Sequence, residues 1–343
     1  MAGAGLVWLD EGVTKASHTK KGIARHPKTE QRPLASCHER SPMTTSDTTA
    51  SSSPASSGSD LPRLGLALGG GGARGLAHIS IVEVVEELGL PIACLSGTSI
   101  GSIIGWGIAS GMSGPAMREY ALSTFGDSRE VASRAWRMRP KGLGTFFQGL
   151  GTQLDPLVVL EAFLPDRKLA ETFEELSIPL AVNTTDYYGW RSQTFAAGPI
   201  KPRVAASIAI PFVFKPAVLE GRVHVDGGVV NPLPTGGLGP CDLVVAVDVI
   251  GGPTPQGENG GNRTDEPPTQ MESILGATQL CMQTITRSHL AQHPPDVLIR
   301  PPIENFPALN FLKTREVLEA ADSERDLVKR NLSEAVERWL KRE

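Results

Sequence analysis

The chain has 343 residues, 40% of them hydrophobic and 20% charged, with a formal net charge of −4. That is enough apolar material for one large domain or two ordinary ones, and the slightly negative balance carries no basic footprint for nucleic acid. Four cysteines, Cys37, Cys94, Cys241 and Cys281, are scattered without a Cys-x-x-Cys pair, so neither a zinc site nor a disulfide framework is indicated and a reducing, cytoplasmic setting is expected.

Residues 1–60 mix Lys, Thr, Ser and Pro, and 41–60 approach a Ser/Thr/Pro/Ala tract. Such a segment buries too little apolar surface to offset its ordering entropy, which predicts a disordered tail. Lys20 and Lys21 leave a targeting or partner-binding role as the alternative. Residues 1–10 lack a basic start followed by a long apolar core and do not read as a secretory signal.

An ordered domain is expected over 61–340. Leu-Gly-Leu-Ala-Leu at 64–68 reads as a buried strand that runs into glycines. Over 76–88, Ile79, Val82, Val85 and Leu88 recur at three-residue steps with Glu83, Glu86 and Glu87 between them, which predicts an amphipathic helix ending at Gly89. Residues 92–96 read as a second strand and 100–109 as a second, very apolar helix. The apolar run 100–112 is glycine-broken and shorter than the roughly 20 residues that span a bilayer. Strand, glycine loop, helix, strand, tight turn, helix is an α/β pattern with a parallel sheet. Further strands are expected at 179–183, 243–249 and 296–300, a long surface loop at 251–270, and helices over 271–292 and 313–340. Cys94 and Cys241 lie in or beside these apolar runs and read as buried packing residues.

Three motifs carry chemistry. Gly97-Thr98-Ser99-Ile100-Gly101 falls between a strand and a helix, the setting of a nucleophile elbow, with the positive end of the following helix at Ser99. Gly70-Gly71-Gly72-Ala73-Arg74-Gly75 follows the first strand, where backbone amides can converge on an oxyanion. A dinucleotide fingerprint would need an acidic residue about 20 positions further on, and a P-loop a Gly-Lys-Ser/Thr; neither is present. Arg74 serves either to hold the loop or to contact an anion, and the loop-holding role is favoured. The third motif is Asp226-Gly227-Gly228, at the end of a strand-like run. Asp226 can act directly as base if a desolvated pocket raises its pKa, or can simply begin a turn. Of the seven histidines, His18, His26 and His38 lie in the tail, and none of His78, His224, His289 and His293 is well placed by itself.

Together these motifs resemble the patatin-like phospholipases, especially their compact bacterial members. Segments 66–79, 205–214 and 225–232 look like family segments, and the resemblance covers about 64–248, with the C-terminal helices matched loosely. It implies a three-layer α/β/α fold with a mostly parallel central sheet and a nucleophile elbow. It also implies a lipid acyl hydrolase with Ser99 as nucleophile, Asp226 as base, amides of Gly70, Gly71 and Gly72 at the oxyanion, and no metal or organic cofactor. Gly75, Gly97, Gly101, Gly227, Gly228 and Arg74 are its motif positions. The implied partner is a lipid or phospholipid, with peripheral membrane contact compatible and nucleic acid excluded. Ser80 departs from the pattern, standing where a glycine is common. Two alternatives remain: a Ser-His-Asp esterase of small esters using His289 or His293, and a non-catalytic protein with a patatin-like shell. Trp136, Phe146-Phe147 and Phe163-Leu164 are candidate lipid-facing residues. The basic, aromatic stretch 128–151, with Arg129, Arg134, Arg137, Arg139 and Lys141, is expected to border the site and touch anionic headgroups.

Overall fold

The structure is a computed structural model that describes residues 61–137, 153–165, 169–253 and 267–342. The expected tail, Phe146-Phe147, Arg139 and Lys141, and most of the 251–270 loop lie outside the described residues. The chain opens with β1 (Leu64–Leu68), a 3-10 turn (Gly72–Leu76), α1 (Ala77–Glu87), β2 (Ile92–Thr98) and α2 (Ile100–Ala109). Next come α3 (Gly114–Phe125), α4 (Ser128–Arg137), α5 (Pro156–Ala162), β3 (Leu180–Asp186), β4 (Arg191–Phe195) and α6 (Ile200–Ser207). The remainder is β5 (Ala217–Leu219), β6 (Arg222–Asp226), β7 (Leu243–Val247), α7 (Gln270–Gln292), β8 (Val297–Ile299), α8 (Thr314–Asp322) and α9 (Arg325–Leu340).

Helix starts follow local chemistry. Ser113 and Asp155 cap α3 and α5, each followed by proline in the first turn. Thr269 and Glu272 form a capping box that starts α7.

The sheet is mixed and mostly parallel. Strand β1 lies between β2 and β7, with β3 beyond β2 and β8 beyond β7, all parallel. Pairs β3–β4, β3–β6 and β5–β6 are antiparallel. The alternation in β1 separates its two faces. Leu64, Leu66 and Leu68 enter the main core with α1, α2, α8 and α9 residues. Gly65 and Ala67 face the other way, where the chain around Leu233, Leu238 and Cys241 lies close, joined by Leu290 of α7. Small residues there let the chain approach the sheet closely.

One topological detail builds the site. Strand β4 occupies one edge of β3 along residues 182–186. The opposite edge is shared: β2 runs parallel along 180–183, and β6 runs antiparallel along 184–186. The carboxyl ends of β2 and β6 therefore meet head to head, Thr98 opposite Asn183 and Asp226 opposite Thr184. Adjacent β3 residues are about 3.3 Å apart along the strand, so the residue that follows β2 and the one that ends β6 are brought together.

Candidate active site

Ser99 occupies the turn between β2 and α2 with φ 54° and ψ −125°. A non-glycine residue there costs on the order of 1–3 kcal/mol and persists only where its surroundings enforce it. Here they do. Ser99 N–H donates to Ser207 Oγ of α6 at 2.9 Å, and Ser207 Oγ donates to Asn183 O at 2.6 Å. Ser102 Oγ donates back to Ser99 O at 2.6 Å. Gly97 and Gly101 face each other so closely that a Cβ on Gly97 would lie 2.5 Å from Gly101 O, and one on Gly101 would strike Leu68 O. Helix α2 can press onto the sheet only with glycine at both positions.

Ser99 Oγ donates to Asp226 Oδ2 at 2.6 Å. Both residues are buried, each 5% exposed. Asp226 accepts a second hydrogen bond at Oδ1 from Gly228 N–H, 2.7 Å, and thereby caps the 3-10 turn Gly227–Val229. Asp226 thus both begins the turn and accepts the hydrogen bond from Ser99. The Asp226 backbone is held by Ala209 O at its N–H and by Thr185 Oγ1 at its carbonyl. Met282 of α7 packs against Gly228. With no cation in contact among the described residues, burial pushes the Asp226 carboxyl up from 3.8 to about 6, against the opposing hydrogen bonds from Ser99 and Gly228.

The glycine loop divides its amides. Gly70 sits beside Ser99, but its N–H donates to Pro232 O at 2.9 Å, so this amide is committed, contrary to expectation. Gly71 and Gly72 N–H donate to no group among the described residues. Gly72 has φ +61°, and a Cβ there would collide with Ala308 O, so only glycine fits. Gly75 packs on Ile100 within the 3-10 turn, which begins at Gly72, earlier than the helix start expected near Gly75.

Arg74 is 1% exposed and donates to the carbonyls of Phe306, Ile250, Gly252 and Glu304. Burial without a bound carboxylate lowers its pKa to about 10. It braces the glycine loop against two distant segments, and its donors are spent on carbonyls. His78 Nε2 donates to Gly69 O at 2.9 Å, and burial lowers that imidazole to about 4. His224 Nδ1 pairs with Thr184 Oγ1 at 2.9 Å. His289 and His293 are exposed at the end of α7. Among the described residues no histidine hydrogen-bonds to Ser99, which removes the observation that a Ser-His-Asp arrangement would need.

The other residues singled out in the sequence are placed as follows. Phe163 stacks on Phe125 at 5.4 Å, which occupies a face of its ring. Arg134 is taken up by Glu130, Tyr120 and Ala162 O. Trp136 is 65% exposed. Ser80 is buried and accepts from Arg118. A cleft of about 510 Å3 beside Trp106 shares no lining residue with the Ser99–Asp226 pair. Among the described residues no group of three or more His, Cys, Asp or Glu could hold a metal, and no helix is long and apolar enough to cross a membrane. Ser207, Asn183, Pro232 and Met282 escaped the sequence reading. Ser207 and Pro232 had a signal, since they lie in the family-like segments 205–214 and 225–232.

Residues 66–238, half of the chain, match the family model described as patatin-like phospholipase. An uncharacterized NTE family protein of Mycobacterium tuberculosis is 31% identical over 221 residues, covering 61% of this chain and 54% of its own length. Lysophospholipase nte1 of Aspergillus fumigatus is 29% identical over 282 residues, 74% of this chain and 17% of its own. The chain thus spans about half the length of the mycobacterial relative and a smaller part of the fungal one. VipD from Legionella pneumophila aligns in structure with 79% of this chain and 67% of its own, at 13% identity and a TM-score of 0.44.

Proposed function

The chain belongs to the patatin-like phospholipase family, and on that premise we propose that it hydrolyses acyl esters of lipids through a Ser99–Asp226 dyad. The observation that carries this reading is the 2.6 Å hydrogen bond from Ser99 Oγ to a buried carboxylate whose pKa lies near 6. Such a base is largely ionised at neutral pH yet basic enough to accept a proton.

Ser99 Oγ attacks the ester carbonyl as its proton passes to Asp226 Oδ2. The free amides of Gly71 and Gly72 receive the developing oxyanion, assisted by the N-terminus of α2. The tetrahedral intermediate collapses, the proton on Asp226 passes to the leaving alcohol, and an acyl-enzyme remains. A lysophospholipid or glycerol derivative leaves at this step. Asp226 then takes a proton from water, the resulting hydroxide attacks the acyl carbonyl, and a fatty acid is released as Ser99 recovers its proton. Gly70 serves this cycle through its fit against Ser99, its own amide being tied to Pro232.

A fluorophosphonate probe with mass-spectrometric mapping tests the reading. The expected adduct is on Ser99, absent in Ser99→Ala and sharply reduced in Asp226→Asn. A folded wild-type chain that takes no adduct would overturn it in favour of a non-catalytic shell.

A further inference from the structure

The β3–β4 turn ends in three aromatic residues that serve no core. Tyr187 is 53% exposed, Tyr188 76% and Trp190 88%. The turn is nevertheless well held. Tyr187 N–H donates to Val223 O at 2.9 Å, Gly189 N–H donates to Asp186 Oδ1 at 3.0 Å, and the two tyrosine rings meet edge-on with centroids 5.1 Å apart. Trp190 is kept at φ 55°. Val218, 68% exposed, stands opposite Val223 on the adjoining β5–β6 hairpin and extends the same rim.

Strand register places this rim relative to the dyad. Thr98, the last residue before Ser99, is level with Asn183. Asp186 lies three residues further along β3, about 10 Å beyond that level at roughly 3.3 Å per residue. The aromatic turn therefore projects past the nucleophile on the edge of the sheet that bears it. The charge beside the turn is positive: Arg222 and Arg191 share one carboxylate, Asp186, with Arg222 Nη1 at 2.5 Å and Arg191 Nε at 3.5 Å. Neighbouring Glu220 is matched by Arg203.

We propose that the Tyr187–Trp190 turn, with Val218, Arg191 and Arg222, docks the protein on a lipid bilayer and sets the dyad's height above it. Tyr and Trp have an apolar body and a polar tip and settle at the headgroup boundary. An excess cation beside them complements an anionic leaflet. Elements that lie in the interface bury about 5–10 Å into it. That depth brings the level of Ser99 close to the membrane surface, where ester carbonyls lie. The choice of a bilayer as occupant rests on the lipid-hydrolase reading.

Flotation of the full chain with vesicles of phosphatidylcholine, alone or mixed with phosphatidylglycerol, reads docking directly. Performing it also on Ser99→Ala separates docking from turnover, so failure of the hydrolase reading leaves this result intact. The wild type is expected to float with both vesicles, more strongly with the anionic one. Tyr188→Ser/Trp190→Ser should lower partitioning on the order of tenfold, as loss of two exposed side chains that the bilayer would partly bury implies. Leu340→Ser, which removes exposed apolar surface from α9, should not. Matching thermal unfolding of the variants confirms their fold. A double variant that floats like the wild type, or a wild type that ignores both vesicles, overturns the proposal. Vesicle-free self-association abolished by Trp190→Ser would overturn it in favour of a second copy of the chain.

Discussion

Two buried carboxylates, Glu83 on a helix and Asp226 at the end of a strand, show how the same group is put to different ends. Glu83 of α1 is held by Arg118 of α3 through both oxygens at 2.7 Å and by Arg325 of α9 at 2.8 Å. Arg118 in turn pairs with Asp322, and Arg325 with Glu87, so one cluster ties helices far apart in the chain. Among the described residues Asp226 has no such cation; its oxygens face a hydroxyl and a backbone amide. A charge matched by guanidinium fixes packing, whereas one left with weak partners in a dry pocket keeps a proton affinity suited to transfer.

The comparison breaks first on activity. Ser99→Ala and Asp226→Asn are each expected to lower kcat by at least about a thousandfold, while Glu83→Gln leaves kcat of the folded protein within a few-fold. Steady-state assays on a lipid ester decide this, and comparable losses at Glu83 would erase the distinction.

Stability should divide the other way. Glu83→Gln removes the carboxylate shared by two partly buried guanidiniums, which keep Asp322 and Glu87, and should cost about 2–3 kcal/mol in urea unfolding.

A smaller effect sharpens the contrast. Lifting Asp226 from 3.8 to about 6 on folding means that ionised Asp226 opposes folding by up to about 3 kcal/mol at neutral pH. The sign follows from the folded state holding the proton more tightly. The penalty is absent below pH 3.8, grows between 3.8 and about 6, and is complete above. Asp226→Asn should therefore stabilise the protein by about 1–2 kcal/mol at pH 8, the amide keeping part of the hydrogen bonding, and the gain should shrink toward pH 4. The same ionisation sets the smallest signature: kcat/KM of the wild type should fall as pH drops through about 6, with the slope of one proton.

Much of this was legible in residue order, because it depends on neighbours in the chain. The periodicity of 76–88 gives α1, the apolar run 100–109 matches α2, and Gly-Thr-Ser-Ile-Gly between a strand and a helix marks the elbow, since only small residues let helix and strand approach there. The large–small alternation of 64–68 encodes which face of β1 joins the main core and which meets the chain packed closely against the other side. Tertiary structure decided the rest, because the partners are remote. Ser99 and Asp226 are 127 residues apart and meet because β2 and β6 end against adjacent residues of β3. Pro232, not an oxyanion, receives the Gly70 amide, and the carbonyls of 250–252 and 304–306 take up Arg74. The fate of a donor depends on which acceptor the fold carries to it, and burial, which raises the Asp226 carboxyl to about 6, exists only once the chain has closed around it.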